Sequence, residues 1–201
     1  MNKGILLSGG IDSIALSYWK RPDIAFTLNY GQEPALAEIG ASKAVCSALN
    51  IRHEVIEIDC SKLGSGDLLK QKALDVAPST EWWPYRNQLL ITLACMKAIS
   101  YGIKELMVGA VRSDGFHKDG TVGFFSRISE LMQYQEGNIS ISAPGIDKIS
   151  SELVIDSGIP PDILFYAHSC HMGNMPCGHC RGCNKYIEVT QQLSDAGWKK
   201  S

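Results

Sequence analysis

Four cysteines, Cys170, Cys177, Cys180 and Cys183, stand within fourteen residues of this 201-residue chain. Zinc prefers a tetrahedron of soft ligands, and two successive C-x2-C steps let one tight turn offer several thiolates to a single ion. Gly178 and Gly182 lie between ligands, where a backbone without Cβ bends most easily. Four cysteines leave no open coordination position, so the spacing predicts a structural zinc knuckle. The same thiols are competent for an iron–sulfur cluster. His168, His171 and His179 flank the cluster and offer substitute ligands. With four cysteines present they are expected to support the site or face solvent. Cys46, Cys60 and Cys95 are scattered and belong to no such pattern.

The second chemical feature lies near the other end, in Leu7-Ser8-Gly9-Gly10-Ile11-Asp12-Ser13. Adjacent glycines permit positive φ, so successive N–H groups can converge into an anion-binding concavity. A helix starting directly afterwards adds unpaired N–H groups and the positive end of its dipole. Ser8 and Ser13 supply hydroxyls, and Asp12 can hold a magnesium ion or cap the helix. A tight strand–helix turn with an aspartate cap would use the same residues. The segment lacks the GK[ST] ending of a Walker A loop and is not G-x-G-x-x-G.

Both features need a scaffold. Short apolar runs at Gly4–Leu7, Ile24–Tyr30, His53–Ile58, Glu105–Val111 and Ile139–Ala143 alternate with helical patterns. Those patterns cover Ser13–Trp19, the apolar stripe Ala37, Ala41, Ala44, Val45 and Ala48, and Arg86–Tyr101 with Gly102 as its stop. Such alternation predicts an α/β fold, an open and mostly parallel sheet with helices on both faces. Right-handed crossovers would bring the carboxyl ends of the strands, with their loops, to one functional edge. From Ser142 onward Pro144, Gly145, Gly158, Pro160 and Pro161 break the chain into short helical pieces. Residues 1–201 therefore read as a single domain, with 168–186 as a metal-binding appendage.

Hydrophobic residues make up 45% and charged residues 20%, which excludes disorder, collagen and coiled coil. A net charge of −2 gives no support to a general affinity for nucleic acid or anionic membrane. No apolar run reaches the length of a membrane span, and Lys3 and Asp12 interrupt the only candidate signal segment. The expected location is the cytoplasm.

Ser-Gly-Gly-x-Asp-Ser at a first strand–helix junction resembles the pyrophosphate loop of the ATP pyrophosphatases, which cleave ATP between its α and β phosphates and adenylate a substrate. Combined with the four-cysteine knuckle, it resembles the 7-cyano-7-deazaguanine synthases of queuosine biosynthesis. Leu28-Asn29-Tyr30-Gly31-Gln32 is similar to that family's Asp-Tyr-Gly-Gln segment, with Asn29 in place of the acid. Pro84-Tyr85-Arg86-Asn87 resembles its Pro-x-Arg-Asn, and Ala143-Pro144-Gly145-Ile146-Asp147-Lys148 its Thr-Pro-Leu-x-Asp-Leu. Ser169-Cys170 and Cys177-Gly178-x-Cys180-x-x-Cys183 match its zinc motif. The likeness runs from about residue 4 to about residue 186.

The resemblance implies an adenine nucleotide alpha hydrolase-like fold and an ATP-dependent ligase. It implies adenylation of 7-carboxy-7-deazaguanine, displacement of AMP by ammonia to give the amide, and dehydration to the nitrile with a second ATP. ATP would be held by Leu7, Ser8, Gly9, Gly10, Ile11, Asp12, Ser13, Tyr30, Gly31 and Gln32. Ser8, Asp12, Ser13 and Arg86 would serve catalysis, and Arg86, Asn87, Asp114, His117 and Asp119 would meet the deazapurine. Structural zinc and magnesium bound with ATP are the implied cofactors. ATP, a small-molecule deazapurine and an amine donor are the implied partners, a protein acceptor and a homo-oligomer being left open.

Two departures stand out. Glu33-Pro34 follows Tyr-Gly-Gln where the family has a basic pair, and Asp114–Thr121 lacks the family's Ser-Gly-Tyr-Pro core while keeping two acids. Adenylation that stops at the amide, or that transfers the acyl group to another amine, is the alternative product reading. A zinc- and nucleotide-binding module without turnover is the alternative from another class. Phe116, Phe124 and Phe125 offer faces for a purine-like ring, although the last two fit the core side of a helix running to Met132. Trp82 and Trp83 can roof a pocket or fill an interface.

Overall fold

A computed structural model describes residues 2–198. Its centre is a five-stranded parallel sheet in the order β3-β2-β1-β4-β5. The strands are β1 (Lys3–Leu6), β2 (Ile24–Asn29), β3 (Arg52–Glu57), β4 (Glu105–Val108) and β5 (Ser140–Ser142). The helices are α1 (Ile11–Lys20), α2 (Ala35–Leu49), α3 (Arg86–Ala98), α4 (Val122–Tyr134), α5 (Ser150–Ser157), α6 (Pro161–Leu164) and α7 (Arg181–Asp195). The α/β expectation holds, with an open parallel sheet, helices on both faces and a four-cysteine cluster toward the C-terminal end.

The alternation of side chains along each strand explains the two layers. Ile24, Phe26 and Leu28 point into a core with α3 and α4, which contribute Ile91, Ala94, Phe125 and Ile128. Ala25, Ile5 and Met107 point the opposite way, against Ile14, Leu16, Val45, Leu153 and Val189 from α1, α2, α5 and α7. Both faces of β2 are thus covered, which is why its sequence is a nearly unbroken apolar run. Phe26 is fully buried, and a side chain of this kind contributes about 1.5–3 kcal/mol on leaving water. The edges are managed differently. β5 has only three residues, and β3 carries Arg52, Glu54 and Glu57, charges that discourage further strand pairing.

β4 ends at Val108, three residues before the expected Val111. The reason is contact between Gly109 and the start of α1. A Cβ on Gly109 would lie 2.7 Å from the Ser13 Cα, so the chain leaves the sheet there to pass closely under α1. Residues 112–120 form two short 3-10 turns.

Chain reversal between β1 and β4 creates a topological switch point at the carboxyl edge of the sheet. β1 pairs with β2 on one side and with β4 on the other, and the connections leave in opposite directions. Open α/β sheets bind ligands in the crevice at such a point. Leu7–Gly10 follows β1 and Gly109–Asp114 follows β4, so both arrive at this crevice.

Candidate active site and metal centre

The loop after β1 is held from beneath and left open above. Leu7 donates its N–H to Phe26 O at 2.9 Å, and its carbonyl accepts the Thr27 and Ser42 hydroxyls at 2.8 and 3.2 Å. Gly9 has φ +74°, and a Cβ there would meet the Glu38 carbonyl at 2.7 Å. Glycine is therefore required by both conformation and space. Gly10 occupies the N-cap of α1 and no side chain caps that helix. Its first-turn N–H groups are thus left for water or an anion. Ser13 Oγ donates to Gly10 O at 3.0 Å and lies 3.2 Å from Ser8 Oγ, which places both hydroxyls at the mouth of the turn.

A cavity of about 200 Å³ opens over this turn. Ser8, Gly10, Ile11, Asp12 and Ser13 form one side, and Gly109 and Asp114 come from beyond β4. His168, Ser169, His171, Gly182 and Lys185 come from the knuckle and the start of α7. The cavity therefore brings together Ser8, Asp12, Ser13 and Asp114 from the expected residues. Lys185 joins them, with Nζ 2.8 Å from Asp12 Oδ2 and 3.3 Å from Asp114 Oδ1. Burial raises the Asp12 carboxyl above its usual value, against the pull of the Lys185 ammonium. Asp12 Oδ1 is buried without a hydrogen-bond partner among the described residues. Burial also opposes the Lys185 charge, but the two carboxylates outweigh it and raise its value.

Tyr30, Gly31 and Gln32 do not line this cavity but connect to it through Glu38, which does. Gln32 is buried; its Oε1 accepts the Tyr30 N–H at 2.8 Å, and its Nε2 donates to Leu28 O at 3.0 Å and Glu38 Oε2 at 2.8 Å. Tyr30 packs edge-on against Trp83, with centroids 5.0 Å apart. Burial raises its hydroxyl, and the neighbouring Arg86 opposes that shift. Arg86 opens α3 and also faces Glu38, which lines the cavity.

Burial pushes the Glu38 carboxyl up to about 7, while Gln32 and Arg86 draw it down. Its folded value exceeds the 4.5 of a free glutamate, so its contribution to stability is complete below about 4.5 and is lost as pH rises through about 7. Wild-type stability is expected to fall between pH 5 and pH 8, and Glu38→Gln to flatten that fall. Urea unfolding of both proteins at the two pH values checks this, and equal slopes would refute it.

The remaining expected substrate residues lie in two other groups. Asn87 donates its backbone N–H to Asp119 Oδ2 at 3.3 Å and its side-chain amide to Asp119 O at 2.9 Å, tying the start of α3 to the turn before α4. His117 Nε2 lies 3.3 Å from Glu81 Oε1, which also takes a very short bond from Arg181. Burial works against the Glu81 charge, but its own backbone N–H, Ser79, His117 and Arg181 outweigh it and hold the carboxyl at about 2. Phe116 is 60% exposed, with the Arg181 guanidinium 5.1 Å from its ring centre. Trp83 is core and Trp82 half-buried. Phe125 is also core, with Phe124 packed partly buried against it.

The cysteine cluster lies directly beside the cavity. Its four Sγ atoms fall within 4.8 Å of one another, with Cys170–Cys180 at 4.0 Å and Cys177–Cys183 at 3.9 Å. Those separations are far beyond a disulfide bond of about 2.05 Å. They approach the edge of about 3.8 Å of a tetrahedron with zinc–sulfur bonds of about 2.3 Å. The donor set therefore fits a tetrahedral thiolate-bound metal. Backbone N–H groups of His171, Cys180 and Cys183 donate to cluster sulfurs, each at 3.4 Å. N–H groups of His179 and Cys180 pull the Cys177 thiol down to about 6. Cys180 is also the N-cap of α7, its sulfur accepting the Cys183 N–H. His179 is exposed and bonds to the Cys177 carbonyl, while His168 Nε2 lies 3.0 Å from Gly173 O. Burial, reinforced by Arg86, lowers His171 to about 4, so it is neutral at pH 7. Cys46, Cys60 and Cys95 are buried elsewhere in the two cores.

The model of the family described as "Queuosine biosynthesis protein QueC" matches residues 4–192. The chain belongs to this family. Its curated relatives include a protein of Methanocaldococcus jannaschii, 27% identical over 89% of each chain. Another, from Desulforudis audaxviator, is 30% identical over 91% of this chain and 94% of the relative. Both relatives are named 7-cyano-7-deazaguanine synthase. Among solved structures, NMN synthetase from Francisella tularensis aligns with all of this chain and 87% of its own, at 15% identity and a TM-score of 0.49.

Within this QueC-family chain, Lys185, Glu38, Glu81 and Arg181 were not singled out from the sequence. Lys185 and Asp12 are 173 positions apart, and Arg181 and Glu81 are 100 apart. No local pattern marks such pairs. The one available sign was the position of Arg181 and Lys185 among and just after the cysteines.

Proposed function

We propose that this protein is a 7-cyano-7-deazaguanine synthase that uses ATP to activate 7-carboxy-7-deazaguanine and ammonia to aminate it. The observation carrying this reading is the uncapped start of α1 behind Gly9 and Gly10, opening into the crevice between β1 and β4. Family membership over nearly the whole chain, and the names of its relatives, agree with it.

A carboxylate reacts poorly with ammonia because hydroxide is a poor leaving group. Transfer to the α-phosphorus of ATP makes AMP the leaving group and releases pyrophosphate. The α1 N–H groups, with Ser8 and Ser13, are aimed where that anion would sit, and such preorganised donors stabilise developing charge. Magnesium bound with ATP would offset further charge on the phosphates. Arg86 can pair a carboxylate bidentately, and Asp114 can accept hydrogen bonds from the base's N–H edge. Zinc at the four cysteines would be structural, since no coordination position stays open.

A second reading ends at the amide or at a conjugate with another amine. It is favoured by the 112–120 turns, where Asp119 is tied to Asn87 and Asp114 to Lys185 and the Val111 N–H. Dehydration requires the amide to be kept and presented again, which depends most on this segment. Mass spectrometry after incubation with ATP, magnesium, 7-carboxy-7-deazaguanine and ammonia separates the two readings. The nitrile with AMP and pyrophosphate is expected. Accumulated amide would favour the second reading, and ADP with phosphate would overturn both.

A further inference from the structure

The crevice contains a cation that the nucleotide reading has not used. Among the described residues lining it, Lys185 is the only lysine or arginine, facing the carboxyl groups of Asp12, Glu38 and Asp114. Its Nζ bridges Asp12 Oδ2 at 2.8 Å and Asp114 Oδ1 at 3.3 Å, joining one wall of the crevice to the other. The side chain is half-buried and lines the cavity, with its ammonium against two acids that line it too. A polyphosphate seated on the α1 turn would enter beside three acids, and its charge demands a compensating cation. The strongly hydrated ammonium on its four-carbon stem can turn from one acceptor to another without moving the backbone.

We propose that Lys185 is a phosphate-binding residue, whose ammonium rests between Asp12 and Asp114 and turns to the terminal phosphates of a bound nucleoside triphosphate. The proposal rests on the nucleotide reading of the α1 turn but not on the deazapurine chemistry. In this picture the two acids hold the lysine over the place that the β- and γ-phosphates take. The start of α7, fixed by Cys180 and Cys183, sets where that lysine can reach.

The test is calorimetric binding of inorganic pyrophosphate, ATP and AMP, each with magnesium, to the metal-loaded full chain. Lys185→Gln is expected to weaken pyrophosphate and ATP by roughly 10- to 100-fold, as loss of a charge-assisted hydrogen bond does, and AMP by no more than about 2-fold. Lys185→Arg should recover most of the loss. Unchanged pyrophosphate affinity in a folded Lys185→Gln protein would overturn the proposal, as would an equal loss for AMP.

Because that substitution leaves Asp12 without its bonded ammonium, a wild-type measurement is paired with it. Pyrophosphate, but not AMP, is expected to shield Lys185 from acetic anhydride, read by peptide mass spectrometry. Equal acetylation with and without pyrophosphate would overturn the proposal. Wild-type protein that binds pyrophosphate in this way but never converts the deazapurine would overturn the synthase assignment alone. Wild-type protein that binds neither ATP nor pyrophosphate would overturn both.

Discussion

Asp12→Ala and Ser13→Ala are each expected to lower the release of AMP and pyrophosphate by about 100-fold or more, the usual cost of losing a preorganised donor to developing anionic charge. That donor is the Ser13 hydroxyl in one case and the Lys185 ammonium held by Asp12 in the other. Ser13 connects the hydroxyl pair to Gly10 O, so its loss removes both a donor and a brace from the turn. Asp12 holds the Lys185 ammonium at the cavity, so its loss frees the lysine from one of its two anchors. Neither change should unfold the protein. Ser13 stands to lose one hydrogen bond to the backbone, about 1 kcal/mol. Burial raises the Asp12 carboxyl, so its removal relieves a desolvation cost while Asp114 still pairs with Lys185. Quantifying AMP by chromatography, beside thermal melts of each variant, checks both halves. Full activity in either variant would remove the loop from the mechanism, and collapsed melting would make the loss of activity structural.

Substituting a cluster cysteine is expected to have the largest effect on stability. Purified protein should hold about one zinc per chain, and Cys183→Ala should lose it. Structural zinc binding in small domains amounts to about 10–16 kcal/mol. If only about 3 kcal/mol of that supports this fold, melting falls by roughly 6–12 °C. The physical route runs through α7, which begins at Arg181 with Cys180 as its cap and carries Val189 and Leu193 into the core against α1 and α5. Loosening its start exposes those side chains, so dye binding and aggregation should rise with metal loss. Elemental analysis and calorimetry on wild type and Cys183→Ala decide the matter. Iron in place of zinc would refute the metal assignment, and a metal-free protein melting at the same temperature would refute the structural role.

The layered architecture was legible because it is written in local periodicity. An apolar run such as Ile24–Asn29 needs cover on both faces, and the stripe around Val45 matches a helix lying on one of them. Strand ends were less legible. Val108 ends β4 because Gly109 must pass α1, a contact between segments almost 100 residues apart that no local pattern encodes. The two chemical centres could be read because their residues are adjacent in sequence, Ser8–Ser13 in one turn and Cys170–Cys183 in the other. The wall between them could not. Gln32, expected at the nucleotide, is bonded to its own loop and to Glu38, and His117, expected at the deazapurine, lies beside Glu81. Side chains of this kind change partners with tertiary context, and only the folded chain shows which partner wins.

The bond between Lys185 and Asp12 also bears on the order in which the protein is made. The α1 turn leaves the ribosome before most of the fold around it, and β1 is an interior strand that lacks β4 until residues 105–108 have emerged. Lys185 follows Asp12 by 173 positions, so at about 5–20 residues per second the turn waits roughly 9 to 35 s for its cation. During that interval the turn has its N–H groups and glycines but neither the knuckle nor α7 to close it. A nascent chain stalled before the cysteines would therefore carry the most recognisable part of the nucleotide site without the wall that completes it. Completion of the site is thus tied to completion of α7, whose Lys185 stands 173 positions after Asp12 of the turn it closes.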